Sequence, residues 1–142
     1  MATTVQCDIV SAEESLYSGR VERLVAAGVM GDLGIEPGHA ALITPLEPGP
    51  VRIVAEGGEE QTIYVSGGFL EVQPNSVTLL ADTAIRADDL SEAAALEAKE
   101  HALQVIENNE DDFDYAKAMT QLAEATAQLR TLQQLRQKLG RG

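Results

Sequence analysis

The sequence has no tryptophan, only three tyrosines and two phenylalanines, and aromatics reach just 4% of its 142 residues. Its core must therefore be built from Val, Ile, Leu and Ala. It has a single cysteine, Cys7, which excludes an internal disulfide and fits a reducing compartment. Cys7 lies in an alternating stretch, where a thiol reads as a small buried hydrophobe rather than a nucleophile. Positive charge is scarce: ten Lys and Arg stand against 23 Asp and Glu, for a formal net charge of -13. Phosphate backbones and anionic bilayers repel a chain this acidic, which argues against nucleic acid and lipid as main partners. Long apolar runs are also missing. The longest, Leu24 to Met30, falls far short of the roughly 20 residues a membrane helix needs. Met1 to Val10 carry no basic segment ahead of an apolar run, so the expected location is cytoplasmic, with membranes reached only through partners.

What is present divides at about residue 87. With 44% hydrophobic and 23% charged residues the chain is of folded, globular composition, and its length suits one small domain plus an appendage rather than a multidomain enzyme. From Val5 to Ala81 the apolar residues recur mostly at every second position. Val5, Cys7 and Ile9 share one strand face, Val51, Ile53 and Ala55 another, and Ile63/Val65, Leu70/Val72 and Val77/Leu79 continue the pattern. Turn signals interrupt at Ser18-Gly19, Pro37-Gly38, Pro48-Gly49-Pro50, Gly57-Gly58, Gly67-Gly68 and Pro74-Asn75-Ser76. No helical period separates these strands, which predicts an antiparallel β-sandwich or flattened barrel over residues 1–86.

Between Arg86 and Gly140 Gly and Pro disappear, Ala becomes frequent and the period lengthens to that of a helix. Asp89 with Glu92 resembles a capping box, and the first helix is expected to run to about Glu107 with Leu96, Leu103 and Ile106 as its apolar stripe, flanked by Ala93, Ala95 and Ala102. Asp112 is the expected N-cap of a second helix whose stripe is Tyr115, Met119, Leu122, Thr126, Leu129, Leu132, Leu135 and Leu139. So short a link makes the helices fold back into an antiparallel hairpin over residues 87–142. The fold class is α+β, mainly β and then α.

Candidate chemistry is sparse. No Ser, His and Asp constellation is visible, and no His, Cys or carboxylate spacing specifies a metal, so no catalytic residue and no metal ligand are assigned. His39 reads as a turn or contact histidine. The loop from Gly31 to Ala40 is shaped by glycines and Pro37, and admits either a docking surface or an elaborate turn. The acidic run Glu107, Glu110, Asp111, Asp112 and Asp114 lacks the order of a calcium loop and reads as a solvated, capping-rich tip. From Ala125 to Gly142 there is no acidic residue, while Arg130, Arg136, Lys138 and Arg141 all occur. Helix-end preference for cations accounts for Lys138 and Arg141 but not for Arg130, several turns back, and an acidic protein partner accounts for all of them.

Three ordered segments carry a resemblance: Gly34-Ile35-x-Pro37-Gly38-His39-Ala40, Val65-Ser66-Gly67-Gly68-Phe69-Leu70-Glu71-Val72, and Leu80-Ala81-Asp82-Thr83-Ala84. Together they are similar to the epsilon subunits of bacterial rotary (F-type) ATP synthases, over essentially the whole chain. The resemblance implies a non-catalytic central-stalk rotor subunit, peripheral on the cytoplasmic face of the inner membrane, whose sandwich binds the gamma subunit and sits on the c-subunit ring. It implies that Asp32, Gly34 and His39 face the ring. It implies a hairpin that lies folded or extends into the alpha-beta head, where Arg130, Arg136 and Lys138 meet acidic beta-subunit segments and restrain ATP hydrolysis. Members that bind ATP carry Leu or Ile, Asp, two variable residues, Arg and Ala where this chain has Leu90, Ser91, Glu92, Ala93, Ala94 and Ala95. With Ser91 for the acid and Ala94 for the arginine, no cofactor is expected and ATP binding should be weak or absent. Two other classes are an acidic-tipped hairpin factor working in a polymerase channel and a metal-dependent hydrolase centred on His39.

Overall fold

The computed structural model describes residues 3–108 and 111–140, the last three as helix backbone. Its residues group into two compact units that divide between Arg86 and Ala87.

The first unit is built of β1 (Val5–Ser11), β2 (Ser15–Gly28), β3 (Gly31–Ile35), β4 (Leu42–Leu46), β5 (Gly49–Ala55), β6 (Glu60–Val65), β7 (Gly68–Gln73), β8 (Ser76–Ala81) and β9 (Ala84–Arg86). They join in the order β1-β8-β7-β4-β2-β5-β6-β9, with β3 on β2. The long strand β2 holds this array together. One of its edges pairs first with β1 and then with β3, while its other edge pairs with β5. Because β1 also pairs with β8, the array wraps back on itself and leaves little unpaired edge. All pairings are antiparallel except β1 with β8, which run parallel. The alternation read from the sequence is the one that buries: Val5, Cys7, Ile9, Val51, Ile53, Ile63, Leu70, Val72, Val77 and Leu79 all lie in the core, and β2, β3 and β4 add Val21, Leu24, Ile35 and Leu46. Each such aliphatic side chain contributes about 1.5–3 kcal/mol on burial, which explains how a core without tryptophan closes.

Ser18-Gly19 is not a turn. It lies inside β2, with Gly19 opposite Cys7, and the space its missing Cβ leaves is covered by the Tyr17 ring. The chain turns instead at Ala12–Glu14, where the Ser11 hydroxyl accepts from the backbone N–H groups of Glu13 and Glu14. Gly68, by contrast, is required where it stands. Its φ is +140°, and a Cβ there would come within 2.1 Å of the Leu80 carbonyl oxygen on the neighbouring strand.

The second unit holds a 3-10 turn (Ala87–Asp89), α1 (Glu92–Glu107) and α2 (Asp112–Gly140). Its helix starts differ from expectation. Ser91, not Asp89, caps α1, accepting from the Ala94 N–H at 3.2 Å, because Asp89 is used up in the preceding turn. At α2 the Asp111 carboxylate accepts from the Phe113 N–H at 2.9 Å, so the cap is one residue ahead of Asp112.

The seam of the hairpin also departs from the leucine stripe. Its buried residues are Ala95 and Ala102 on α1 and Ala118, Ala125 and Leu132 on α2, whereas Leu96 and Leu103 stay 51% and 46% exposed and Tyr115 and Met119 are exposed as well. Helices approach most closely where side chains are smallest, and a residue one position along a helix turns about 100° away. Ala95 and Ala102 therefore face the partner helix and swing Leu96 and Leu103 outward. Ile106, Leu122, Leu129 and Leu135 are half-buried, and Thr126 is exposed. Leu139, the last residue of the expected stripe, falls outside the described side chains.

Gly68→Ala is expected to lower the stability of the full chain by at least about 2 kcal/mol, combining left-handed strain with a backbone clash. Gly57→Ala has the same kind of φ, +99°, but open space around it. It should cost about 1 kcal/mol. Urea unfolding followed by circular dichroism compares the two.

Candidate functional site

Three surfaces carry the residues that could act. The first is the loop joining β3 to β4. Asp32 and Gly34 lie on β3 opposite Ala27 and Val25, both exposed and two residues apart, so they share one side of the strand. His39 follows the other end of β3. A Pro37-Gly38 turn, closed by the His39 N–H donating to the Glu36 carbonyl at 3.1 Å, positions it. The Gly38 N–H donates to the Pro74 carbonyl at 3.1 Å, pinning the loop to the turn after β7. The His39 Nδ1 lies 2.8 Å from the Ala40 carbonyl oxygen, so a ring N–H donates to the backbone when that nitrogen is protonated. This arrangement shapes a loop. Among the described residues no three His, Cys, Asp or Glu side chains converge as a metal site.

The second surface was not foreseen. Register places Phe69 of β7 between Pro45 of β4 and Leu80 of β8, and Ile43 lies two residues from Pro45 on the same side. Phe69, Leu80 and Ile43 are 55%, 53% and 70% exposed, while Leu70, Leu79 and Ala81 beside them point into the core. The outcome is an apolar strip on the outside of a sheet in which β7 is paired on both edges, with β4 and with β8. Its signal in the sequence is a failure of alternation: Phe69-Leu70 and Leu79-Leu80 place apolar residues on both faces.

The third is the helical hairpin. Leu90 and Ser91 are consumed in starting α1: the Leu90 N–H closes the 3-10 turn onto the Ala87 carbonyl at 3.2 Å, and Ser91 caps the helix. Ala94 lines a shallow groove between the helices together with Glu97, His101, Gln121, Glu124 and Gln128. Its lining thus includes two carboxylates and no Arg or Lys. Among the expected cations of α2, Arg130 is exposed, Lys138 lies among the residues described by backbone alone, and Arg136 bridges to Glu92. That guanidinium donates through Nη1 to Glu92 Oε1 at 3.1 Å and through Nη2 to Oε2. The hydrogen bond and charge of Arg136 hold the Glu92 carboxyl below its ordinary value. A carboxylate pKa depressed in the folded hairpin means that the pair contributes above the ordinary Glu range and is lost as pH falls through the depressed value.

The chain thus pairs a strand-built unit carrying an outward apolar strip with a two-helix unit carrying a charged contact at its open end. The family described as ATP synthase, Delta/Epsilon chain, matches in both of its parts, the beta-sandwich domain over residues 4–87 and the long alpha-helix domain over residues 88–133. The ATP synthase epsilon chain of Chromohalobacter salexigens is 62% identical over 133 residues, 94% of this chain and 94% of that one. Among solved structures, a chain of the Euglena gracilis mitochondrial ATP synthase superposes with a TM-score of 0.84 at 19% identity, covering 93% of this chain and 83% of the other. A chain of the Tetrahymena thermophila mitochondrial enzyme, in a structure of its central stalk and c-ring, gives 0.63 at 15% identity, covering 90% and 96%. At these identities the structures speak for the fold alone. The chain belongs to the ATP synthase delta/epsilon family, as an epsilon-type subunit of the central stalk. No helix among the described residues is long and apolar enough to cross a membrane.

Cys7 takes no part in these surfaces. Burial, with the charge of Asp8 second, pushes its thiol up to about 12, so at neutral pH it stays protonated and unreactive. Iodoacetamide at pH 8 should leave the native chain unmodified and alkylate it once denaturant is added, as read by mass spectrometry.

Proposed function

We propose that this chain couples the rotor of an ATP synthase through its sandwich and restrains ATP hydrolysis through its hairpin, making no catalytic contribution of its own. The observation that carries the coupling half is the exposed strip of Ile43, Phe69 and Leu80. A strip of this kind on a strand paired at both edges favours a permanent partner, because burying each side chain gains about 1.5–3 kcal/mol with little further ordering of the backbone. The gamma subunit is that partner in this reading. Asp32 and Gly34 on β3, with His39 in the loop that follows, meet the c-ring, and the membrane is reached only through the complex.

For the inhibitory half the support is compositional. The last helix is acid-free from Ala125 onward and carries Arg130, Arg136 and Lys138, which suits acidic segments of the beta subunit, with alpha alongside. The thin seam of Ala95, Ala102, Ala118 and Ala125 makes opening of the hairpin inexpensive. In the assembled enzyme, Phe69→Asp should reduce capture of the gamma subunit at least about tenfold in a co-purification assay. Deleting residues 88–142 should leave that capture intact and raise ATP hydrolysis. Unchanged capture in the first variant, or unchanged hydrolysis in the second, refutes the corresponding half.

Nucleotide is not the signal in this reading. A groove carrying Glu97 and Glu124, with Ala94 where a phosphate-binding arginine would stand, repels a triphosphate. Five millimolar ATP, a concentration of about the order that would populate even a weak site, should leave the melting temperature of the purified chain unmoved. A rise of several degrees would contradict this.

A further inference from the structure

The start of α1 and the end of α2 are tied by one charged contact, and its chemistry says when Arg136 can act. Glu92 is the first residue of α1, and Arg136 lies in the last turns of α2. The two are 44 positions apart in sequence, yet both terminal guanidinium nitrogens engage both carboxylate oxygens. A fork-to-fork contact of this kind uses the whole end-on edge of the guanidinium, which then cannot grip a second carboxylate in the same way. We propose that Glu92 and Arg136 form a latch: while the hairpin is folded the pair holds its mouth shut and withholds Arg136 from acidic partners, and opening the hairpin releases it. The withholding half rests on the inhibitory reading given above; the latch itself rests on the geometry.

Placement reinforces the pair. In an antiparallel hairpin the N-terminal end of α1, with its positive dipole, lies beside the C-terminal end of α2, with its negative dipole. A carboxylate on the former and a guanidinium on the latter each complement their own helix end as well as each other. The same register that brings Glu92 to Arg136 brings Ala95 level with Leu132 and Ala102 level with Ala125. The fully buried positions of that seam are alanine apart from Leu132, while Leu122, Leu129 and Ile106 on the same helix faces are half-buried. Alanine layers bury little area, so a contact that would be minor in a leucine-packed hairpin weighs more in the opening equilibrium here. The pair is also solvent-exposed, with side chains 59% and 43% accessible. Salt therefore screens it readily.

The test uses the full-length chain with Cys7→Ala and spin labels at residues 93 and 137, both exposed, the distance between them being read by electron paramagnetic resonance. Glu92→Gln should raise the open fraction about two- to five-fold at low salt, the range set by exposed ion pairs. One molar salt should open the unsubstituted chain to the same extent and add little to E92Q. The exchange of Glu92→Arg with Arg136→Glu should restore closure. In the assembled ATP synthase, E92Q should strengthen inhibition of hydrolysis, and Arg136→Gln should weaken it. An open fraction that does not differ between the unsubstituted chain and E92Q, or an exchange that fails to restore closure, overturns the latch even if deleting residues 88–142 raises hydrolysis. If E92Q opens the hairpin while that deletion leaves hydrolysis unchanged, the inhibitory reading falls and the withholding role falls with it.

Discussion

Two helices that meet through alanine come close together but exchange little buried surface, and this constraint organises the second half of the molecule. Ala95 and Ala102 on one helix and Ala118 and Ala125 on the other are all buried, and among the described residues of the hairpin Leu132, at 9% exposed, is the one leucine that joins them. The short link from Glu107 to Asp112 restricts the register in which the two helices can pair. Alanine contacts bury less area than leucine contacts would, so they contribute less to the closed state. Definition without strength is the combination a switchable element needs, since a partner or a change of conditions can move it with only a few kcal/mol of differential interaction.

The sandwich obeys the opposite rule. Its core is closed by side chains of 1% exposure or less, such as Ile9, Leu24, Ile53 and Leu79, and β2 pairs along both edges, so local opening would break several ladders together. A surface carried by such a unit keeps its shape whether or not a partner is bound. Phe69 and Leu80 can therefore remain in water in the free chain without the sheet rearranging to hide them. Large apolar side chains kept outward on a rigid face mark a docking surface more clearly than apolar residues on a mobile loop would.

How much of this could be read from the sequence depended on whether one periodicity decided the outcome. Val5, Cys7 and Ile9, or Val77 and Leu79, were legible because a strand offers its residues only two sides. Gly19 was misread as a turn because a strand glycine covered by a tyrosine ring looks, in sequence, like a glycine that bends the chain. The caps slipped by one or two residues where acids occur in tandem: Asp88 and Asp89 precede Ser91, and Asp111 precedes Asp112, and each could cap a helix. The leucine stripe misled for a deeper reason. Hydropathy ranks Leu96 and Leu103 above Ala95 and Ala102, while helix packing ranks by how near two backbones can come. The Glu92–Arg136 contact was beyond reach altogether, since it depends on the register of a hairpin 44 residues in span. At the candidate site the turn that carries His39 was legible from Pro37 and Gly38, but Asp32 and Gly34, read as part of the same loop, lie on strand β3, whose pairing with β2 their glycine-rich surroundings disguise. The apolar strip was not legible, because nothing in Phe69-Leu70 says which of the two faces water.

The charge distribution connects the two units to a single argument about selectivity. A chain of net charge -13 repels an acidic partner at long range, and only the acid-free stretch from Ala125 onward reverses that sign locally. An acidic segment is thus drawn to one end of α2 and away from everything else, which orients its approach as well as favouring it. The chain's own carboxylates compete for the same cations, and one attached to the hairpin acts at a far higher effective concentration than one on a separate molecule. Glu92 is such a competitor for Arg136. On the inhibitory reading, an acidic segment must therefore present several carboxylates at once, or hold α2 by further contacts, before it displaces a tethered one. That requirement separates a shaped protein surface from an isolated acidic side chain, and it follows from the placement of one glutamate at the start of one helix.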